Sequence, residues 1–288
     1  MTERDQKRGI RIETVKEFSE QFRIHRKALN EITTGVQSNP NLHSLSSHFV
    51  NLVTGDEIRG SVLADIGCGS GRFSKVLLDF EPRLIHCVEP SSGFGDAEKN
   101  LSVSIGAGVV QMHHDTVENV QLSGIDYAFM VGVLHHLIDP IESLRNVYRM
   151  LRPGASLLIW VYGSEQSPIM ASAIRYMRRF LGKFPDRLLE AFCSLFVALL
   201  NCHSLVVRLL PKNAPLRNYF VGRWRTYSFS YKKLIIFDQL NPSVATFYTV
   251  ENLRRTLTEA GFERIIINVL EGSFGLAARC ERGQPNPG

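Results

Sequence analysis

The chain has 288 residues, which is long enough for one large α/β domain or two smaller domains. Hydrophobic residues make up 44% and charged residues 21%, a globular composition that excludes a disordered or fibrous chain. The formal net charge of +5 is too small to indicate a protein that coats nucleic acid. Residues 1–11 are highly charged and lack an apolar stretch, so we expect no secretory signal.

Metal binding and disulfide bonding are both disfavoured by the sequence. The five cysteines are scattered and none forms a Cys-x-x-Cys pair, which argues against a disulfide framework and a zinc site. The pairs His113-His114 and His135-His136 are poor chelates, because adjacent residues of a strand point to opposite faces. We therefore predict no metal site and a reduced, cytoplasmic protein.

Short apolar runs alternate with amphipathic segments from residue 60 onward, a pattern typical of a sheet with helices between its strands. The predicted strands are 62–66, 84–88, 109–113, 127–134, 156–162, 264–270 and 273–279, and the predicted helices are 72–80, 141–151 and 249–260. Arg152-Pro153-Gly154 is a stop signal after the second of these helices. Glu271-Gly272 is a hairpin turn, so the last strand should be antiparallel. The predicted fold is a doubly wound, mostly parallel Rossmann-like α/β sheet.

Two regions depart from this alternation. Residues 1–59 look helical, and residues 164–247 form a largely helical insertion between the fifth strand and the last helix. Insertions of this length are usually functional, often as a cap over a substrate site. We therefore predict an N-terminal helical segment (1–59), a Rossmann-like core (60–163), a helical cap insertion (164–247) and a C-terminal helix and strands that complete the core (248–282).

The sharpest motif follows the first predicted strand, where Gly67, Gly69 and Gly71 form a Gly-x-Gly-x-Gly turn that opens a helix. Glycines allow a tight turn and a close approach of a ligand to backbone amides. A dinucleotide fingerprint would need its third glycine at position 72, where this chain has Arg72. The turn, with Asp65 just before it, therefore suits a smaller ligand.

Further polar residues follow the next strands. Glu89 ends the second strand, where a carboxylate can accept hydrogen bonds from both hydroxyls of a ribose, and Asp115 follows the third. Gly132 and His135 lie at the end of the fourth strand. Because ligands bind at the carboxyl ends of parallel strands, we expect these positions to meet in one crevice.

The stretches DIGCGSG (65–71), CVEP (87–90), HHDT (113–116), GVLHHLIDP (132–140) and LRPGASLLIWVYG (151–163) match one family in order and spacing. They resemble the motifs of class I S-adenosylmethionine-dependent methyltransferases. The resemblance covers residues 60–163, and residues 249–282 by topology. It implies a seven-stranded sheet with an antiparallel last strand, S-adenosyl-L-methionine as the cofactor and methyl transfer as the activity.

The same resemblance implies a set of cofactor contacts. The glycine-rich turn would shape the methionine and ribose pocket, two loops would hold the ribose and the adenine, and backbone after the fourth strand would meet the methionine amino group. These sites are, in that order, Asp65, Gly67, Gly69 and Gly71; Glu89; Asp115 and Thr116; and Gly132 and Val133. Pro90 departs from the commonest pattern, because it stiffens the turn after Glu89 without removing the carboxylate.

Methyl transfer from a sulfonium is an in-line displacement that depends mostly on proximity and orientation. A base is needed only when the acceptor holds a proton near neutral pH. His135 and His136 lie at the expected crevice edge and are the first candidates, with His136 taken as the catalytic residue. The alternative is that one histidine packs against the sheet and the other orients the loop.

The acceptor should be determined by the cap, where residues 164–233 hold twelve Lys and Arg against three acids, a net charge of +9. Aromatic residues interleave these charges around Tyr227 and Tyr231. The charge fits an anionic small molecule, an anionic membrane surface beside the apolar stretch 188–210, or RNA. A solvated helical cap with a buried apolar face remains the plainest alternative. Polar residues within 188–210 argue against a transmembrane span.

Residues 237–253 resemble, more loosely, a segment that closes over the acceptor in bacterial methyltransferases of sugar and cell-surface biosynthesis. This resemblance implies that Asp238 and Tyr248 line the acceptor pocket. Helix capping by Thr249 is an equal alternative at the end of the same segment.

The sequence therefore predicts an S-adenosylmethionine-dependent methyltransferase acting on a small anionic or lipid-linked metabolite, such as a sugar, cell-surface or secondary-metabolite precursor. A non-catalytic cofactor-binding protein that engages a partner through the basic cap, and an RNA methyltransferase, are the alternatives. Nucleic acid is predicted to be the less favoured partner. The expected location is the cytoplasm, with peripheral contact to an anionic inner membrane face also open.

Overall fold

A computed structural model describes residues 3–35, 45–165, 168–182, 184–209, 211, 217, 219–270 and 275–284. The strands are β1 Val62–Ile66, β2 Leu84–Val88, β3 Val110–His113, β4 Ile125–Val131, β5 Leu151–Tyr162, β6 Phe262–Val269 and β7 Gly275–Arg282. The helices are α1 Glu3–Gly35, α2 Leu45–Phe49, α3 Gly55–Ile58, α4 Arg72–Leu78, α5 Gly93–Asn100, α6 Ser102–Gly106, α7 Pro140–Met150, α8 Pro168–Leu181, α9 Asp186–Val206, α10 Phe229–Leu240 and α11 Val250–Glu259.

The seven strands form one sheet in the order β3-β2-β1-β4-β5-β7-β6. β1 to β5 pair in parallel, whereas β7 runs antiparallel to both β5 and β6. The predicted seven-stranded, mostly parallel sheet with an antiparallel last strand is confirmed. The strand order reverses between β1 and β4, and the carboxyl ends of these two strands therefore flank the crevice where ligands of such sheets bind.

Alternation along the strands divides the core between the two faces of the sheet. In β1, Val62, Ala64 and Ile66 pack into one apolar cluster, while Leu63 packs into another on the opposite face. The first cluster includes residues of α7 and α11, and the second includes residues of α2 to α5. The sheet is thus covered on both faces, and ligand access is left to its edges.

The cap has an apolar cluster of its own. Cys193 and Val197 of α9, Trp224, and Phe237 of α10 are fully buried together. Tyr162, at the end of β5, belongs to the same cluster and connects the cap to the sheet.

Two predicted strand bounds differ from the structure, and two short helices were not predicted. β5 already begins at Leu151, because a bulge in its pairing with β4 accommodates Pro153 and Gly154, the latter at φ +79°. β4 ends at Val131 rather than at 134, since Gly132 turns the chain at φ +80°. The short helices α5 and α6 gave no clear periodic signal. The turn predicted at Glu271-Gly272 lies outside the described residues.

Candidate active site

A cavity of about 370 Å³ lies at the reversal of strand order, beyond the ends of β1 and β4. The loops after β1, β2, β3 and β4 line one part of it. Much of the remaining wall comes from α1 and α10, through side chains such as Phe18, Phe22 and Asp238. The cavity therefore joins the predicted cofactor loops to the cap.

The glycine-rich turn has no room for side chains. Gly67 has φ +71°, and a Cβ there would lie 2.4 Å from Val133 Cγ2. Gly69 has φ +58°, and its Cβ would lie 2.9 Å from Phe22 Cζ. Both glycines line the cavity, and Gly71 caps α4 at φ +77°. The turn thus presents bare backbone to a ligand.

Glu89 is buried, with 5% of its surface exposed, and lines the cavity. Its Oε2 accepts a 2.8 Å hydrogen bond from Gly69 N–H, and its Oε1 accepts one of 2.8 Å from Ser91 N–H and another from the Ser91 hydroxyl. A carboxylate has about four acceptor positions, so the Glu89 carboxylate organises the glycine turn and keeps capacity for a ligand hydroxyl.

Asp65 is fully buried behind the same turn. Burial raises the pKa of this carboxyl to about 6, Ser74 Oγ donates a 2.6 Å hydrogen bond that lowers the pKa, and the Glu89 charge raises it. Asp65 therefore holds the start of α4 through Ser74, beside the cavity that it also lines.

We expect Asp65→Asn to change the pH dependence of stability. Asp65 has an ordinary pKa of 3.8 and a folded pKa of about 6, so the folded state keeps the proton over a window in which the unfolded chain ionises. Stability from this group is present below pH 4 and is lost as the pH rises to about 6. Asparagine can still accept from Ser74, so the variant should gain roughly 1–3 kcal/mol over the wild type between pH 4 and pH 7. Urea unfolding across this range measures the difference.

Asp79→Asn is the matched control, because Asp79 is an exposed residue at the end of α4. A difference between Asp65→Asn and the wild type that stays constant from pH 4 to pH 7 would contradict the raised pKa.

The loop after β3 contributes Thr116 but not Asp115 to the cavity lining. The Asp115 carboxylate accepts a 2.7 Å hydrogen bond from Thr116 N–H and so shapes its own loop. Thr116 Oγ1 is buried and has no hydrogen-bond partner among the described residues. A buried hydroxyl with no protein partner indicates a position that a ligand can satisfy.

His136 lies where the cofactor loops meet the cap. Its Nδ1 is 2.9 Å from Val244 O, and its Nε2 is 3.9 Å from Asp238 Oδ2. Because a carbonyl only accepts, Nδ1 carries the proton and the lone pair of a neutral ring lies on Nε2. Burial lowers the pKa of His136, while Asp238 and the Val244 carbonyl raise it.

Asp238 connects three elements. It accepts hydrogen bonds from Gln21 Nε2 of α1 at 2.8 Å and from the Tyr162 hydroxyl at the end of β5. Gln21 Oε1 and His135 Nδ1 are buried, line the same cavity and have no partner among the described residues. Burial holds the pKa of His135 well below its usual range, so this ring is neutral. The cavity therefore offers unused acceptor and donor atoms beside His136.

The aromatic side chains of the cap line the same cavity. Tyr227 and Tyr231 pack edge to face with ring centres 4.9 Å apart, and Tyr219 lines the wall with them. Tyr248 does not line the cavity. It is buried between the sheet and α11, where burial raises its pKa to about 12, and Thr249 after it caps α11 through Asn252 N–H.

The structure thus brings most predicted site residues to one cavity. Those that line it are Asp65, Gly67, Gly69, Glu89, Thr116, Gly132, Val133, His136, Tyr227, Tyr231 and Asp238. Gly71, Asp115 and Tyr248 do not line it. Tyr162, which lines it too, was not among the predicted site residues; its place in the strand motif LRPGASLLIWVYG gave no sign of its bond to Asp238.

Comparison with known proteins identifies a domain. Residues 64–157 match the model of a methyltransferase domain, and this range contains β2, β3, β4 and most of β1 and β5, with the loops that line the cavity. The chain therefore contains a methyltransferase domain, consistent with the class I S-adenosylmethionine-dependent methyltransferases. The resemblance stated from the motifs is confirmed, and the family implies S-adenosylmethionine as the cofactor of this methyltransferase.

Curated relatives of this methyltransferase have names that give tRNA as their substrate. A tRNA U34 carboxymethyltransferase of Desulfotalea psychrophila is 31% identical over 109 residues, covering 37% of this chain and 34% of that protein. Its counterpart from Campylobacter lari is 31% identical over 116 residues, covering 39% and 40%. The chain thus spans only about a third to two fifths of the length of these relatives.

A solved structure agrees on the fold. An O-methyltransferase family protein from Burkholderia thailandensis superposes with a TM-score of 0.52 at 11% identity, over 84% of this chain and 57% of that one. At this identity the likeness concerns the fold alone.

The relatives correct the predicted acceptor. A small anionic or lipid-linked metabolite was the main prediction, and nucleic acid was predicted to be the less favoured partner. Both predictions are wrong, because the curated relatives are RNA-modifying enzymes. The error arose because a +9 cap attracts small anions and polyanions alike, so charge alone does not separate these acceptors.

The residues of the cavity fit S-adenosylmethionine. The glycine turn leaves backbone open where any Cβ would collide, Glu89 retains acceptor capacity, and the buried Thr116 hydroxyl lacks a partner among the described residues. S-adenosylmethionine is a nucleoside that carries a charged amino acid. Its binding needs backbone amides that the ligand can approach closely, a carboxylate that accepts hydrogen bonds from the ribose, and further polar contacts.

Proposed function

We propose that this methyltransferase transfers a methyl group from S-adenosylmethionine to a nucleotide of tRNA. The observation that carries the proposal is a single cavity shared by the glycine turn, Glu89 and the aromatic residues of the cap. The tRNA-modifying relatives of the core support the choice of RNA as the acceptor.

In the cofactor part, the bound S-adenosylmethionine supplies an electrophilic methyl group. We assign the ribose hydroxyls to Glu89, and the adenine to Thr116 with Asp115 ordering its loop. Backbone at Gly132 and Val133 receives the methionine amino group. Asp65 fixes the start of α4 so that the turn keeps its shape.

In the acceptor part, Tyr227 and Tyr231 offer rings on which a nucleobase can stack. The +9 charge of residues 164–233 attracts the phosphates on either side of that base. The extruded nucleotide would then face Nε2 of His136.

His136 accepts the proton that the acceptor loses on methylation. Val244 O fixes the ring tautomer, and the lowered pKa keeps Nε2 unprotonated at neutral pH. Asp238 stabilises the imidazolium that forms and is itself held by Gln21 and Tyr162. The ring is thus a general base oriented by a backbone carbonyl, with a carboxylate beside the nitrogen that takes the proton.

The direct test incubates the full chain with radiolabelled S-adenosylmethionine and bulk tRNA, ribosomal RNA or a metabolite extract. We expect label in tRNA, and mass spectrometry of the digested nucleosides then identifies the methylated base. Label confined to the metabolite extract would overturn the proposal. Binding of the demethylated cofactor without any labelled product would instead indicate a non-catalytic protein.

Tyr231→Ala should lower kcat/KM for tRNA about 5- to 150-fold, because loss of one base–aromatic stack costs about 1–3 kcal/mol. Tyr176→Ala is the matched control, since Tyr176 is an exposed tyrosine of α8 that does not line the cavity. Equal activity of the two variants would contradict stacking at Tyr231.

A further inference from the structure

α9 is the longest helix of the cap, and no residue of it lines the cavity. One side packs into the cap through Leu189, Cys193 and Val197. Asn201 on that half of the helix accepts 3.0 Å hydrogen bonds from Trp224 Nε1 and Lys232 Nζ. α9 is thus tied firmly to the cap, but its length is not explained by contact with substrate or cofactor.

The opposite side of α9 is apolar and exposed. Leu188, Leu195, Leu199 and Val206 are 58%, 63%, 58% and 59% exposed, and they fall on one face of the helix. Ala191, Ala198 and Cys202 lie on the same face, which carries no charge. Only 22% of the most apolar stretch of this helix is buried in the described chain. Soluble proteins rarely leave so continuous an apolar strip in water.

The exposed charged residues at the ends of this strip and on α8 are basic. Arg187 and Arg208 are exposed at the two ends of α9, and Arg175 and Arg179 are exposed on α8. Exposed Phe180 and Phe184 lie between these helices along the chain. Both acids of this helix are half-buried: Asp186 stands at its start, and Glu190 is paired with Lys233 of α10. An apolar strip with basic ends is complementary to a surface that is apolar inside and anionic at its rim.

We propose that the outer face of α9 docks on an anionic lipid bilayer. The leucines and valine enter the boundary between headgroups and acyl chains, and the arginines contact lipid phosphates. The bonds of Asn201 to Trp224 and Lys232 keep the helix in the cap, so it lies on the membrane and does not cross it, although its length and hydropathy would permit crossing.

Two other occupants fit the face less well. In a second copy packed about a two-fold axis, α9 would run parallel or antiparallel to its mate, and in either case the arginines at the helix ends would face each other. RNA would meet a strip without donors or charges, since the arginines stand only at its ends and on α8. No residue of this face lines the cavity, so docking on a membrane does not depend on which acceptor is methylated.

Flotation of the full-length chain with vesicles tests the proposal. At low salt we expect binding to phosphatidylcholine vesicles containing phosphatidylglycerol, and little binding to phosphatidylcholine alone. Leu195→Ser combined with Leu199→Ser should lower the partition coefficient about tenfold or more, because two exposed leucines leave the bilayer. Val103→Ser combined with Ile266→Ser is the matched control, since these two apolar residues are also exposed but belong to the Rossmann-like part of the chain and not to the cap.

The same leucine variant distinguishes the other occupants. We expect this variant to fold like the wild type, because both leucines are exposed. Circular dichroism checks its fold. Absence of binding by the wild type to anionic vesicles would overturn the proposal. Sedimentation showing a wild-type dimer that the variant loses would assign the face to a second copy. A variant with weakened tRNA binding and unchanged vesicle binding would assign it to RNA.

Discussion

Glu89→Ala is expected to weaken binding of the demethylated cofactor, S-adenosylhomocysteine, by about 30- to 150-fold, or about 2–3 kcal/mol. The alanine loses charge-assisted hydrogen bonds to the ribose. It also releases Gly69 N–H, which now donates to Glu89 Oε2 at 2.8 Å, so the turn loses its side-chain anchor and keeps only the backbone bonds to Val88 O. Isothermal titration calorimetry measures the dissociation constant directly.

Glu98→Ala on α5 provides the matched control, because Glu98 is an exposed glutamate that does not line the cavity. Glu89→Gln retains the shape and one acceptor oxygen, so its loss of affinity should fall between those of Glu98→Ala and Glu89→Ala. Wild-type affinity of Glu89→Ala, with normal thermal unfolding, would show that the ribose lies elsewhere.

Asp238→Asn should lower kcat about 100-fold while leaving cofactor binding unchanged, because the His136 imidazolium loses its carboxylate partner. The pH profile gives a second readout. The Asp238 charge raises the pKa of His136, so its removal lowers that pKa further. The acidic limb of kcat/KM should therefore move to lower pH as the plateau falls.

Asp186→Asn is the control for charge, since this acid at the start of α9 does not line the cavity. His136→Gln should remove the acidic limb altogether. If the acidic limb of the kcat/KM profile lies at the same pH in the wild type, the Asp238 variant and the His136 variant, another group accepts the proton.

Local patterns were sufficient to predict much of the fold, because each strand of a sheet covered on both faces is a continuous apolar run. β1 and β2 were predicted to the residue from such runs. β5 was predicted to begin at 156 because Pro153 and Gly154 normally end a strand, whereas a bulge here absorbs them. The partners of the cap helices depend on contacts such as Asn201 with Trp224, which no local periodicity encodes.

The cofactor part of the site was predictable for a similar reason. Its residues directly follow consecutive strands, so the topology alone brings Gly67, Glu89 and Gly132 together. The acceptor part gathers Gln21, Tyr162 and Asp238 from three distant segments. Tyr248 was predicted to line it, but its neighbours are the sheet and α11. The proposal of tRNA as the acceptor rests on the relatives, since charge does not distinguish one polyanion from another.

α1 has a kinetic consequence. Phe18, Gln21 and Phe22 cover the cavity from one side, so cofactor and product must pass this helix to exchange. This stretch is fastened by polar contacts, such as Ser19 to Ser92 and Glu17 to Ser243, and by the ring of Phe18 against His136. Bonds of this kind contribute about 1 kcal/mol each. Lifting the middle of α1 would break these hydrogen bonds and the packing of Phe18 and Phe22 together, so the exchange of cofactor and product would be coupled to the movement of one helix.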